Sequence, residues 1–198
     1  MRQMAALALM ILLALSAAGC ALSGGENTAD EIMLFYSQVN GMTAVADVSL
    51  SGETASADFR LRYEGTADDA EITVLQPEEL ADMQIHIAGG ETALSGDIQL
   101  YTGRITALPV SPVTALSTAL SRWQSGYMSG SSREEVRGVR CVRIRQNVDE
   151  NTVLYTWFDC ESYLPLSLEL VYNDRVAVSA VMEEITLDKA APQDGGQQ

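Results

Sequence analysis

From Thr43 onward the chain alternates apolar and polar residues with a period of two, and this alternation limits what it can fold into. Ala57, Phe59, Leu61 and Tyr63 fall on one side of such a segment, Asp58, Arg60 and Arg62 on the other. A strand of this kind has one face for a core and one for water, so the chain must build antiparallel sheet with one face covered. Strands are expected over 43–51, 54–64, 70–75, 83–88, 91–95, 98–102, 134–147, 152–161, 163–172 and 175–187. Gly52-Glu53, Gln76-Pro77, Gly89-Gly90, Ser95-Gly96-Asp97, Glu150-Asn151 and Asn173-Asp174 mark the breaks, and Gly126 to Ser132 reads as a loop.

Two helices supply the cover. Thr28 to Glu31 forms a capping box that opens a helix to about Val39, with Ile32, Phe35, Tyr36 and Val39 on one face. Ser111 (cap) and Pro112 (first turn) open a second, to about Gln124, with Val113, Leu116, Leu120 and Trp123 as its stripe. The expected fold class is α+β: an unclosed antiparallel β-barrel of about nine to eleven strands with two amphipathic helices as a lid. It forms one domain over residues 28–187.

The first residues carry an address. Met1-Arg2, an apolar run from Ala5 to Ala18 and then Gly19-Cys20 read as a secretory signal ending in a lipobox. Similarity to bacterial lipoproteins implies removal of residues 1–19 and acylation of the Cys20 thiol. An ordinary cleaved signal or an uncleaved anchor is the alternative. Residues 20–27 read as a tether and 188–198 as a disordered tail. The expected location is extracytoplasmic, with the chain anchored to the cell membrane or envelope by N-terminal lipidation. A net charge of −15 repels nucleic acid and anionic headgroups, so no nucleic-acid partner is expected and membrane attachment falls to the lipid.

Cys141 and Cys160 remain as an even pair. If Glu150-Asn151 is the centre of a hairpin turn, Cys141 lies opposite Cys160 and within disulfide range. Two free thiols or intermolecular pairing are the alternatives. The same register pairs Ile144 with Trp157 and Arg140 with Glu161. It also puts Val142, Ile144, Tyr155 and Trp157 on one apolar face, with Arg143 and Arg145 on the other. Arg133, Arg137, Arg140, Arg143 and Arg145 are five of the chain's twelve Lys and Arg residues. Arg140, Arg143 and Arg145 are therefore candidates for a strip that meets an acidic partner; cross-strand pairing with Glu161 and Asp159 is the plainer reading.

No catalytic set emerges. The single histidine, His86, reads as a half-exposed strand residue, and no nucleophile elbow, P-loop, calcium loop or dinucleotide fingerprint occurs. No metal site and no cofactor are expected, and the chain is read as a non-enzyme.

The order of these elements resembles the LolA/LolB-type lipoprotein-carrier family, in particular LolA-like lipoproteins of Gram-positive bacteria. Residues 57–62, 72–80, 90–102 and 156–166 carry the resemblance, which spans about residues 28–187. It implies an apolar cavity under the helices that holds acyl chains, and Ala57, Phe59, Leu61, Ile72, Val74, Leu166 and Leu168 become candidates for its lining or for plain core. The implied function is a membrane-anchored lipoprotein whose cleft binds a lipid or lipoprotein acyl chain. The germination-lipoprotein branch implies the alternative, an envelope scaffold or regulator that binds a cell-wall hydrolase.

Overall fold

A computed structural model describes residues 24–52, 56–89, 91–95, 110–125 and 127–189. Cys20, the signal segment, the expected strand 98–102 and residues 190–198 lie outside them. Helix α1 spans Gly24–Tyr36 and α2 spans Ala115–Ser125. The strands are β1 (Val39–Ser51), β2 (Ser56–Gly65), β3 (Asp69–Gln76), β4 (Gln84–Ala88) and β5 (Glu91–Ser95), then β6 (Met128–Val136), β7 (Val139–Asn147), β8 (Thr152–Asp159), β9 (Pro165–Tyr172) and β10 (Arg175–Lys189). They form one ten-stranded antiparallel sheet in the order β5-β4-β3-β2-β1-β10-β9-β8-β7-β6, open at β5 and β6 among the described residues. The expected unclosed sheet with two helices is the observed architecture.

The long central strands bend rather than lie flat. Between Thr43 and Val45 the β1–β10 register shifts by one, and on the β10 side Glu184 takes a left-handed φ of 48°. An extra residue of this kind kinks a strand and increases its twist, which curls the sheet over its helices.

Several boundaries differ from the alternation pattern. Helix α1 starts four residues before the capping box, and β10 runs through Lys189. The expected single strand 134–147 is two strands. Arg137 and Gly138, at φ 52° and 81°, make a two-residue turn of the type that matches strand twist, so the supposed loop 126–132 is largely β6. Arginine is an unusual first residue for such a turn, and the pattern hides it. Asn173 and Asp174, at φ 49° and 62°, form the expected turn between β9 and β10.

The β7–β8 register is also corrected. The loop is the three residues 149–151, closed by Val148 N–H to the Thr152 carbonyl at 2.9 Å, with the Asp149 carboxylate accepting Asn151 N–H at 2.8 Å. That bond holds the Asp149 carboxyl below its usual range. Relative to a turn centred on Glu150-Asn151, every partner moves by one residue, which swaps sheet faces. Cys141 therefore lies opposite Asp159, Ile144 opposite Thr156, and Trp157 opposite Arg143.

Both helices pack on one side of the sheet. Tyr36 of α1, Trp123 of α2 and Phe158 of β8 form an aromatic trio with ring centroids 5.2, 5.2 and 5.4 Å apart, and all three are fully buried. Polar bonds fix α2 at several points. Trp123 Nε1 donates to Thr156 Oγ1 at 3.0 Å, Gln146 Nε2 donates to the Arg122 carbonyl at 2.6 Å, and Gln124 Nε2 donates to the Val39 carbonyl at 2.7 Å. Because Trp123 joins packing to a buried hydrogen bond, Trp123→Ala is expected to lower stability by about 3–5 kcal/mol, measured by denaturant unfolding.

Candidate functional site

The helix-covered face of the sheet gathers the buried apolar side chains into one core cluster. Cross-strand pairing aligns Phe59, Val48, Ala180, Leu168, Thr156 and Ile144 in one row across β2, β1, β10, β9, β8 and β7. Two further rows, Ala46–Leu61–Val74 and Ala44–Tyr63–Ile72–Ile85, extend it over β2, β3 and β4. The small residues Ala44, Ala46 and Ala180 lie on the central strands, where larger side chains would meet the helices. Larger apolar groups flank them on both wings.

Helix α1 packs chiefly on β6 and β7, and α2 on α1 and β1. The apolar face continues beyond those strands. On the far wing, burial pushes the pKa of the Tyr63 hydroxyl up, the Ser117 side chain of α2 acting in the opposite direction. Its O–H donates to the Thr66 carbonyl.

The structure sorts the candidate lining residues. Leu61, Ile72, Val74 and Leu168 are buried on this face, and Phe59 packs half-buried against the same core. Ala57 follows Phe59 on the same side, half-buried near the start of β2. Leu166 does not join them. It is the extra residue where Trp157 pairs with Ser167 but Phe158 pairs with Pro165, and the bulge turns it to a half-exposed position. The sequence gives no mark of that bulge beyond the proline itself.

A latch holds α1 at one end. Tyr163, at a left-handed φ of 61° in the β8–β9 turn, donates its hydroxyl to Glu31 Oε2 at 2.9 Å. Its carbonyl accepts the Tyr36 hydroxyl at 3.1 Å, and its ring meets Phe35 edge-on at 5.8 Å. The bond to Glu31 raises the Tyr163 pKa, and burial raises that of Tyr36 far above its ordinary value.

Arg143 and Arg145 lie on the opposite face of the sheet, already engaged, whereas Arg140, the ladder partner of Glu135, sits at the rim of the helix-covered side. Arg140 pairs with Glu161 at 2.8 Å, as expected, although the strand ladder sets its backbone against Cys160. Arg143 pairs with Glu134 at 3.1 Å and lies over the rings of Tyr155 and Trp157 at 4.9 and 5.9 Å. Trp157 Nε1 donates to the same Glu134 at 2.7 Å, and Arg145 donates to Ser129 Oγ at 2.8 Å. The corrected register explains why Tyr155 and Trp157 sit with the arginines rather than with Val142 and Ile144.

The expected disulfide is not formed. Cys141 is a buried free thiol donating to the Val139 carbonyl at 3.2 Å, and Cys160 is a half-buried free thiol. Both line a polar pocket of about 490 Å³, together with Glu31, Arg133, Arg140 and Tyr163. His86 sits opposite Glu71 on the outer face, 3.9 Å from Asp69 and mostly exposed. Among the described residues no group of His, Cys, Asp and Glu converges as a metal site.

No family model matches the chain, and no curated protein matches it. Solved structures do resemble it. A LolA superfamily protein from Nitrosomonas europaea is 9% identical, with 82% of this chain and 94% of that chain covered at a TM-score of 0.38. A putative outer membrane lipoprotein-sorting protein domain from Vibrio parahaemolyticus is 11% identical, covering 88% and 94% at 0.38. LprF from Mycobacterium bovis is 10% identical, covering 85% and 96% at 0.38. LolA-superfamily and lipoprotein-sorting structures are thus among the low-identity structural neighbours of the chain.

Two predictions follow the geometry of the two faces. Glu134→Ala removes the shared partner of Arg143 and Trp157 and is expected to lower stability by about 1 kcal/mol, less at high salt, by denaturant titration at two ionic strengths. The Tyr36 and Tyr63 hydroxyls have folded pKa values above their ordinary value of 10.0, so the neutral forms stabilise the fold below that pH. Stability is expected to fall as pH rises above about 10, and the Tyr36→Phe/Tyr63→Phe double variant to show a shallower fall.

Proposed function

We propose that this chain is an extracytoplasmic lipoprotein, anchored through Cys20, that holds an acyl chain between the helix-covered face of its sheet and helix α2. The observation that carries the reading is the extent of the apolar face. It runs from β7 to β4, and on its wing Leu61, Ile72, Val74 and Ile85 are already buried and Phe59 half-buried, so an acyl chain lying there takes the place of their present cover. An aliphatic chain lying there gains roughly 0.8 kcal/mol per methylene removed from water, and no directional chemistry is needed. The role is binding rather than catalysis. In the anchored state Cys20 supplies membrane attachment, because a chain with net charge −15 has little attraction to anionic headgroups.

The arginine strip supports this reading over a hydrolase-binding scaffold, since Arg140, Arg143 and Arg145 each already have a partner within the chain.

Delipidated protein is expected to take up a fluorescent fatty acid at tens of micromolar. Val74→Phe, which occupies the wing, is expected to weaken uptake about tenfold, equivalent to about two displaced methylenes. Folded protein, checked by circular dichroism, that takes up no fatty acid overturns the binding reading. Cys20→Ala is expected to move the chain from the membrane to the soluble fraction; a variant still on the membrane overturns the anchor.

A further inference from the structure

The sheet ends at β6, whose outer edge pairs with no other strand among the described residues. The turn at Arg137–Gly138 fixes which backbone groups point outward. A two-residue turn of this type makes Val136 and Val139 a mutually hydrogen-bonded pair, and alternation along the ladder turns Glu134 and Ser132 toward β7 as well. Ser131, Arg133 and Glu135 therefore direct their N–H and C=O groups to the open edge. The Arg133 and Glu135 side chains are exposed. Both project on the helix-covered side, where Arg133 reaches Thr28 Oγ1 at 3.3 Å.

An open edge of this kind is a template for another strand. The distribution of charge along it points to a second copy of the same chain. A two-fold axis through the sheet keeps the helix-covered faces of both copies on one side, so β6 can pair with itself only around a residue, not between two. A centre on Arg133 sets arginine against arginine. A centre on Ser132 sets Arg133 against the partner's Ser131 and leaves Glu135 against the partner's Ser129. A centre on Glu134 sets Arg133 against the partner's Glu135 and Glu135 against the partner's Arg133. These are also the residues whose backbone groups face outward, so the ladder and the charges agree on one register. Glu134 meets the partner's Glu134 at the axis. Its carboxylate lies on the other face, where Arg143 at 3.1 Å and the Trp157 N–H at 2.7 Å hold it.

We propose that two copies associate edge to edge through β6, antiparallel and centred on Glu134, with Arg133 and Glu135 forming reciprocal ion pairs. The arrangement is closed, because the same strand serves both sides. Arg133 and Glu135 also line the polar pocket of about 490 Å³ beside α1, so the partner copy completes its rim.

Sedimentation velocity of the full chain in density-matched detergent tests this. The chain is expected to sediment as a dimer. Arg133→Glu and Glu135→Arg each place like charges at both reciprocal positions and are expected to weaken association about tenfold, while the two together restore it to within about threefold. A chain that stays monomeric up to about 100 μM overturns the proposal, as does a double variant no tighter than the single ones.

Discussion

The structure depends on the burial of one face of a curved antiparallel sheet. A ten-stranded sheet whose inward positions are Val, Leu, Ile, Ala and Phe cannot leave that face in water. The Tyr36–Trp123–Phe158 trio is where the cover is seated. Each ring is contributed by a different element, so the trio ties α1, α2 and β8 into one core. The central strands carry Ala44, Ala46 and Ala180, and those small residues let the helices approach a sheet that the β10 bulge bends around them. The bulge, the small residues and the aromatic trio work together: without curvature the rings would not converge, and without small residues the helices would stand off the sheet.

The outer face follows a different rule. Two of its arginines are paired across neighbouring strands. Arg60 bridges Asp47 at 2.8 Å and Glu183 at 2.6 Å, joining β2, β1 and β10, and Arg143 joins Glu134 of β6 to the rings of β8. Exposed pairs of this kind add little stability individually, but they set which strand neighbours are electrostatically compatible. Arg60, Arg143 and Arg145 of the outer face are thus engaged within the chain, and the apolar face is buried as core.

Much of this was legible from residue order, and the failures share one physical origin. Alternation located the strands and the inward set Leu61, Ile72, Val74 and Leu168, because burial of one face is written directly into a period of two. It could not locate irregularities of a single residue. The three-residue loop at Glu150, the bulge at Leu166 and the Arg137–Gly138 turn each insert or remove one position, and each swaps faces for everything beyond it. The misplacement of Tyr155 and Trp157 and the unformed Cys141–Cys160 bond both trace to the first of these. The alanines at the centre of the face were missed for another reason: alanine is weakly hydrophobic, and its role appears only when three-dimensional neighbours show what its small size permits.

The central claim is that the apolar face holds an acyl chain rather than serving only as core. Native mass spectrometry of protein purified gently from membranes addresses it most directly. The account predicts a non-covalently bound acyl lipid, additional to any modification of Cys20 and lost on denaturation. Folded protein that carries no such lipid, and that stays empty after incubation with fatty acid, would contradict it.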